Sequence, residues 1–120
     1  MADMACLRLV PGGELACTDD RCALVESAQF RGGPGAHAAQ SHRAVVADVA
    51  EIRTLRPEFA RAAREARIFG FLAAPLFRGA RHVGTFSWYA QRSHALTEAA
   101  VPAAERACRG LLRLPIRPGG

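Results

Sequence analysis

Four cysteines are the most reactive side chains in this sequence: Cys6, Cys17, Cys22 and Cys108. Zinc sites and redox-active dithiols usually contain a CxxC motif or pair cysteine with histidine at a fixed spacing, and none of the four has such a neighbour. Cys17 precedes a predicted helix, and the amino-terminal end of a helix can lower the pKa of a thiol. We expect four reduced thiols in a cytoplasmic protein, without a bound metal.

Several other side chains could contact a ligand. Trp88 and Tyr89 could stack on a planar molecule, although aromatic residues in a hairpin more often belong to the core. Asp48 follows an apolar run, where it could accept a hydrogen bond from a ligand or cap its own loop. His37 and His42 could each ligate a haem iron, but no neighbouring pattern supports that role.

Two further patterns do not predict a site. Ser41, His42 and Asp48 are the residue types of a catalytic triad, but no nucleophile elbow surrounds the serine. The segment 32–35, "GGPG", lacks the spacing and the lysine of a phosphate-binding loop, so it predicts a tight turn. We therefore predict no catalytic residue.

Length and composition favour one globular domain. The chain has 120 residues, of which 50% are hydrophobic, and no apolar run approaches the roughly 20 residues that cross a bilayer. The amino terminus has no basic region before an apolar one, so no membrane association is expected. The net charge is +5, but the arginines are scattered among Glu and Ala, so nucleic-acid binding is not expected.

The periodicity of the apolar residues predicts alternating strands and helices. Consecutive strands joined by tight turns pair antiparallel, so the sequence predicts an α/β (α+β) domain with a mainly antiparallel sheet. Pro75 lies late in the first strand of the second hairpin and has no N–H, which predicts an edge, a bulge or the end of that strand. The predicted order is strands 4–10 and 14–18, helix 21–30, a break over "RGGPGAH", strand 44–49, a helix from 57, strands 68–77 and 82–91, and a helix from about 97.

These elements and their motifs resemble GAF domains. In the hairpin "LAAPLFRGARHVGTFSWYA", the residues Pro75, Leu76, Gly84 and Tyr89 stand where that family has a Pro-Leu pair, a glycine and an aromatic residue. Upstream, "QFRGGPGAHAA" resembles the GAF domains of actinobacterial regulators that often precede an RNA-binding antiterminator domain. The resemblance covers about residues 4–114. It implies one GAF-like domain over 1–114, with about five to six strands and helices on the sheet faces, and a flexible tail over 115–120.

The resemblance also implies a function. GAF domains commonly act in bacterial signalling or transcription regulation, and they bind a small molecule between the sheet and a covering segment, here residues 48–66. The ligand itself cannot be inferred, and no output domain follows residue 114, so RNA binding by this chain alone is not expected. The residues expected at the ligand site are Asp48, Phe59, Phe71, Trp88 and Tyr89.

Departures from the family leave two alternatives. Only residues 1–3 precede the first strand, whereas most GAF domains open with a helix that packs under the sheet. Since buried apolar surface contributes about 25 cal/mol per Å², an uncovered face predicts either a homodimer that uses this face or the loss of the helix together with the rest of a larger protein. The chain could then be a ligand-free dimerisation module, with its pocket filled by its own Phe and Trp side chains.

The second alternative is enzymatic. One GAF subgroup reduces free methionine sulfoxide with cysteine thiols, and Cys17 and Cys22 are the candidate thiols here. That subgroup carries its cysteines where this chain has Gly35, Ala36 and Ala50, which argues against the activity.

Overall fold

The protein forms a five-stranded sheet with helices, as seen in a computed structural model that describes residues 3–10, 12–29 and 33–113. The strand order is β2-β1-β5-β4-β3, and every neighbouring pair is antiparallel. The predicted α+β class and antiparallel sheet are therefore confirmed. The elements are β1 (Met4–Leu9), β2 (Leu15–Cys17), α1 (Cys22–Gln29), α2 (Pro34–Ser41), β3 (Val45–Asp48), α3 (Val49–Ile52), α4 (Pro57–Glu65), β4 (Gly70–Arg78), β5 (Arg81–Ala90), a short 3₁₀ turn (Glu98–Ala100) and α5 (Val101–Leu112).

The hairpin of β4 and β5 is the centre of the sheet. Gly79 in its turn has φ of +61°, a conformation that glycine adopts without steric cost. β3 pairs with β4 only as far as Ala73, and a register shift follows Leu76. Pro75 therefore lies between the end of the β3 pairing and the register shift. On its β3 side β4 has no partner strand there, which agrees with the edge position expected for a residue without an N–H.

One face of the sheet, called the covered face here, packs under α1, α3 and α4. Cys6, Phe71 and Tyr89 point to this side and are fully buried. The helices contribute Val25 of α1 and Phe59 of α4 to the same core. This alternation follows from the period of two along each strand.

The other face, called the open face, packs against α5. Leu72 and Leu76 of β4 are buried there with Ala104 and Cys108 of α5, which stand four residues apart on one side of that helix. Across β5 and β1, by contrast, three large side chains of this face are only half-buried. These are Leu7, Phe86 and Trp88.

The segment predicted as a break contains a helix. α2 begins at Pro34, where the missing N–H costs nothing because the first N–H groups of a helix have no partner. Gly33 precedes it in an extended conformation. Small residues such as Gly35 give α2 little apolar periodicity, which explains why the pattern did not reveal it. Residues 30–32, and the tail predicted over 115–120, lie outside the described residues.

The expectation of four reduced thiols is wrong for two of them. Cys6 of β1 and Cys17 of β2 are direct cross-strand neighbours, with Cα atoms 4.2 Å apart, and they form a disulfide. Cys22 and Cys108 are free thiols and are buried, and burial raises the pKa of each to about 11. In the described part of the chain, no helix has the length and apolarity needed to cross a bilayer.

Candidate functional site

The sheet separates the five residues that the sequence predicts at the ligand site. Phe59, Phe71 and Tyr89 lie together on the covered face. Trp88 points to the open face, as its alternation with Tyr89 requires. Asp48 lies at the end of β3, where α3 begins.

The space between the sheet and the segment 48–66 is occupied by aromatic side chains. Phe59 is 1% exposed and Phe71 is 0% exposed, and their rings meet edge to face with centroids 5.2 Å apart. Tyr89 packs in the same cluster. Among the described residues, these rings fill the space between α4 and the sheet.

Asp48 is engaged by the chain itself. Its Oδ1 accepts a hydrogen bond from the backbone N–H of His94 at 2.8 Å, and its Oδ2 lies 2.9 Å from Nδ1 of the same histidine. Glu51 completes a capping box, because its Oε1 accepts from the backbone N–H of Asp48 at 2.8 Å. Asp48 thus caps α3 and ties the start of the covering segment to the residues that follow β5.

A second group of buried polar residues was missed by the sequence reasoning. Nε2 of Gln29 donates to Ser87 Oγ at 3.1 Å and to Tyr89 Oη at 2.7 Å, and Tyr89 Oη donates to Oε1 of Glu26. All four side chains are 0% exposed. We refer to Glu26, Gln29, Ser87 and Tyr89 as the buried polar cluster. Only Tyr89 of this cluster was among the predicted residues.

A helical spacing in the sequence could have revealed this cluster. Cys22, Val25, Glu26 and Gln29 stand at i, i+3, i+4 and i+7, the positions that share one face of a helix. Two polar residues therefore lie on the face of α1 that points to the core.

Burial controls the electrostatics of the cluster. It raises the pKa of Glu26, although hydrogen bonds and the charge of Arg8 act in the opposite direction. Burial and the neighbouring carboxyl of Glu26 also raise the pKa of Tyr89 well above its usual value. The phenol therefore remains a hydrogen-bond donor at neutral pH.

Two acceptor atoms of the cluster have no hydrogen-bond partner among the described atoms. They are Oε2 of Glu26 and Oε1 of Gln29. A buried polar atom left unpaired costs about 1–3 kcal/mol, so each would gain from a donor brought by another molecule. The cluster can accordingly accept hydrogen bonds from a group that carries N–H or O–H donors.

The cysteines do not form the pair that methionine sulfoxide reduction requires. That chemistry needs an accessible thiolate of low pKa and a second thiol. Cys17 is bonded to Cys6, and Cys22 is completely buried with a raised pKa. The geometry therefore argues against Cys17 and Cys22 as catalytic thiols.

The remaining sequence candidates have separate partners. The Oγ of Ser41 lies 3.5 Å from the carbonyl of Ala38, and the ring of His42 stacks on Phe77 with centroids 4.1 Å apart. His37 is exposed on α2. Among residues 3–10, 12–29 and 33–113, no group of three or more His, Cys, Asp or Glu side chains is arranged to hold a metal ion.

The open face carries a cavity of about 430 Å³ beside Trp88. Leu72 and Leu96 line it together with alanines of α5, so its wall is largely apolar. Trp88 could contact a molecule in this cavity, but not one on the covered face.

Comparison with solved structures identifies the fold. The chain superposes on the GAF domain region of a protein described as a membrane protein from Geobacter sulfurreducens PCA with a TM-score of 0.66 and 14% identity, over 93% of this chain and 80% of that chain. For a domain of a two-component sensor histidine kinase protein from Sinorhizobium meliloti 1021, the TM-score is 0.60 at 19% identity, over 92% of this chain and 76% of that chain. For the GAF domain of a two-component sensor histidine kinase from Bacillus halodurans, the TM-score is 0.60 at 11% identity, over 92% of this chain and 79% of that chain.

Neither a protein-family model nor a curated protein matches the sequence. The fold that the order of the sequence motifs predicts is nevertheless confirmed, since the chain has the fold of GAF domains.

Proposed function

We propose that this chain is a sensory domain that binds a small molecule on the covered face, between the sheet and the segment 48–66, and that it acts in bacterial signalling. The observation that supports this proposal is the buried polar cluster, where Glu26 and Gln29 each hold an acceptor oxygen without a partner. Two of the superposed structures come from sensor histidine kinases, which is consistent with a regulatory role.

In this proposal, the ligand donates hydrogen bonds to Oε2 of Glu26 and Oε1 of Gln29. Its body takes the place of the edge-to-face contact between Phe59 and Phe71, so α4 moves outward on binding. The bond between Asp48 and His94 joins the covering segment to the residues that lead into α5. Displacement of α4 would therefore be transmitted to the open face.

Native mass spectrometry of gently purified protein, compared with its denatured mass, tests this function. We expect additional mass that is lost on denaturation, and its value gives the formula of the ligand. Gln29→Leu removes one of the acceptors and should release that mass, whereas Gln91→Leu, at an exposed position, should retain it. Bare protein mass together with no stabilisation by any compound of a metabolite library would contradict the proposal.

Homodimerisation is a second candidate function, supported by a different observation. Leu7, Phe86 and Trp88 are half-exposed on the open face, and the rings of Phe86 and Trp88 stack with centroids 4.0 Å apart. In the described residues, α5 packs on β4, and the helix that contacts β1 is α1, which lies on the covered face. A second copy would bury this apolar surface and gain about 25 cal/mol per Å².

Sedimentation velocity distinguishes this candidate. Trp88→Glu should shift a dimer to monomer, because it would bury a charge in the interface. Leu55→Glu is the matched control, since Leu55 is 77% exposed on the other side of the sheet. A monomeric wild-type protein at all concentrations would exclude dimerisation through this face.

A further inference from the structure

A cavity of about 320 Å³ lies at the edge of the sheet, between α5 and the connection from α2 to β3. It borders the part of β4 beyond Ala73, where β3 no longer pairs. Its apolar lining includes Ala74, Val101 and Leu112. The volume is at the lower end of the range for small-molecule sites, so it suits a small metabolite.

Charged side chains of both signs line the same cavity. Arg43 comes from the α2–β3 connection, Glu98 from the 3₁₀ turn, and Glu105 and Arg109 from α5. Glu105 and Arg109 are four residues apart, a spacing at which helical side chains often pair. Yet in the part of the chain that the structure describes, none of these four side chains forms an ion pair. Both carboxylates and both guanidinium groups are therefore available to a ligand.

We infer that this cavity binds a small zwitterion with an apolar side chain, of the α-amino acid type. Arg43 and Arg109 supply donors for the ligand carboxylate, which guanidinium groups bind in a bidentate manner. Glu98 and Glu105 accept from its ammonium group. The apolar side chain lies on the surface that includes Ala74.

The mixture of charges selects against ligands of one sign. A phosphate or simple carboxylate would meet the two glutamates, and a simple amine would meet the two arginines. This site is separate from the buried polar cluster, because α5 and the cluster lie on opposite faces of the sheet. It therefore does not depend on the proposed function at the covered face.

Isothermal titration calorimetry with three related probes tests the inference. L-leucine carries both charges, 4-methylpentanoate lacks the ammonium group, and 3-methylbutylamine lacks the carboxylate. We expect L-leucine to bind at least about tenfold more tightly than either analogue. The double variants Arg43→Gln/Arg109→Gln and Glu98→Gln/Glu105→Gln should each weaken its binding by a similar factor.

The control is the double variant Arg61→Gln/Glu65→Gln, which changes two exposed residues of α4 and should bind L-leucine like the wild type. Circular dichroism of each variant verifies that it remains folded. Three results would overturn the inference: no binding of L-leucine up to about 10 mM, equal binding of an analogue with one charge, or an affinity that neither cavity variant changes.

Discussion

On the covered face of the sheet, Phe71 and Tyr89 are fully buried beneath α1 and α4, whereas on the open face Phe86 and Trp88 remain half-exposed beside α5. Dispersion and hydrophobic terms grow with the contacts that a side chain makes, so the covered face contributes more to stability. The cavities of about 430 and 320 Å³ border α5 on the open side.

The two faces also differ in how far they expose their polar groups. The covered face encloses Glu26 and Gln29 completely, and the chain satisfies them only in part. The charged residues near α5, such as Glu105 and Arg109, are exposed at the edge of a cavity. A ligand of the buried polar cluster would therefore require a structural opening, whereas a ligand beside α5 would not.

Aromatic truncations on the two faces test this difference most strongly. Phe71→Ala should lower the free energy of unfolding by about 3–5 kcal/mol, because it leaves a cavity in a closed core. Phe86→Ala should cost about half as much, since its ring already contacts solvent. Urea unfolding measures both values. Equal losses would mean that the open face is covered in solution, as a dimer would cover it.

The disulfide gives the next largest effect. Cys17→Ser should lower the free energy of unfolding by about 2–3 kcal/mol, because the bond between Cys6 and Cys17 restricts the unfolded chain. A reducing agent should destabilise the wild type by a similar amount and leave Cys17→Ser unchanged. Thermal unfolding with and without the reductant measures both quantities. If the reductant destabilises the two proteins equally, the bond is not what stabilises the hairpin.

The pH dependence of stability tests the burial of Glu26. Its pKa is raised above the ordinary value of 4.5, so between the two pKa values the folded protein binds more protons than the unfolded chain. This residue's contribution to stability is thus fully present below about pH 4.5 and is lost as the pH rises through the folded pKa. The slope reaches at most about 1.4 kcal/mol per pH unit.

Glu26→Gln should remove this slope, and urea unfolding at several pH values measures the difference from the wild type. Glu98→Gln, on the open side, is the matched control and should keep the slope of the wild type. A Glu26→Gln protein whose stability follows the wild-type pH profile would show that the carboxyl is not buried in solution.

The sequence predicted the sheet, but not which residues the fold would bring together at the candidate site. Alternating apolar residues and the tight turns between them are local signals, and they were sufficient for the strands and their antiparallel pairing. The residues of the site come together from distant segments, since Gln29 and Ser87 are 58 positions apart. The alternation of side chains along a strand places Trp88 and Tyr89 on opposite faces of the sheet. It does not tell which of the two faces the helices α1 and α4 cover. Cys6 and Cys17 pair because the first hairpin places them opposite each other, and this followed from its register rather than from a cysteine motif.

The link between the two faces should have the smallest effect on stability. Asp48→Ala removes a cap of α3 and the acceptor for His94, which should lower the free energy of unfolding by about 1–2 kcal/mol. Asp48→Asn keeps one acceptor oxygen and should cost less. Hydrogen exchange should show a local consequence in Asp48→Ala, with faster exchange in α4 and in residues 94–100 but unchanged exchange in β5. If hydrogen exchange becomes faster only in α3, Asp48 acts only as a helix cap. Movement of the covering segment would then have to reach α5 through the packed side chains of the sheet.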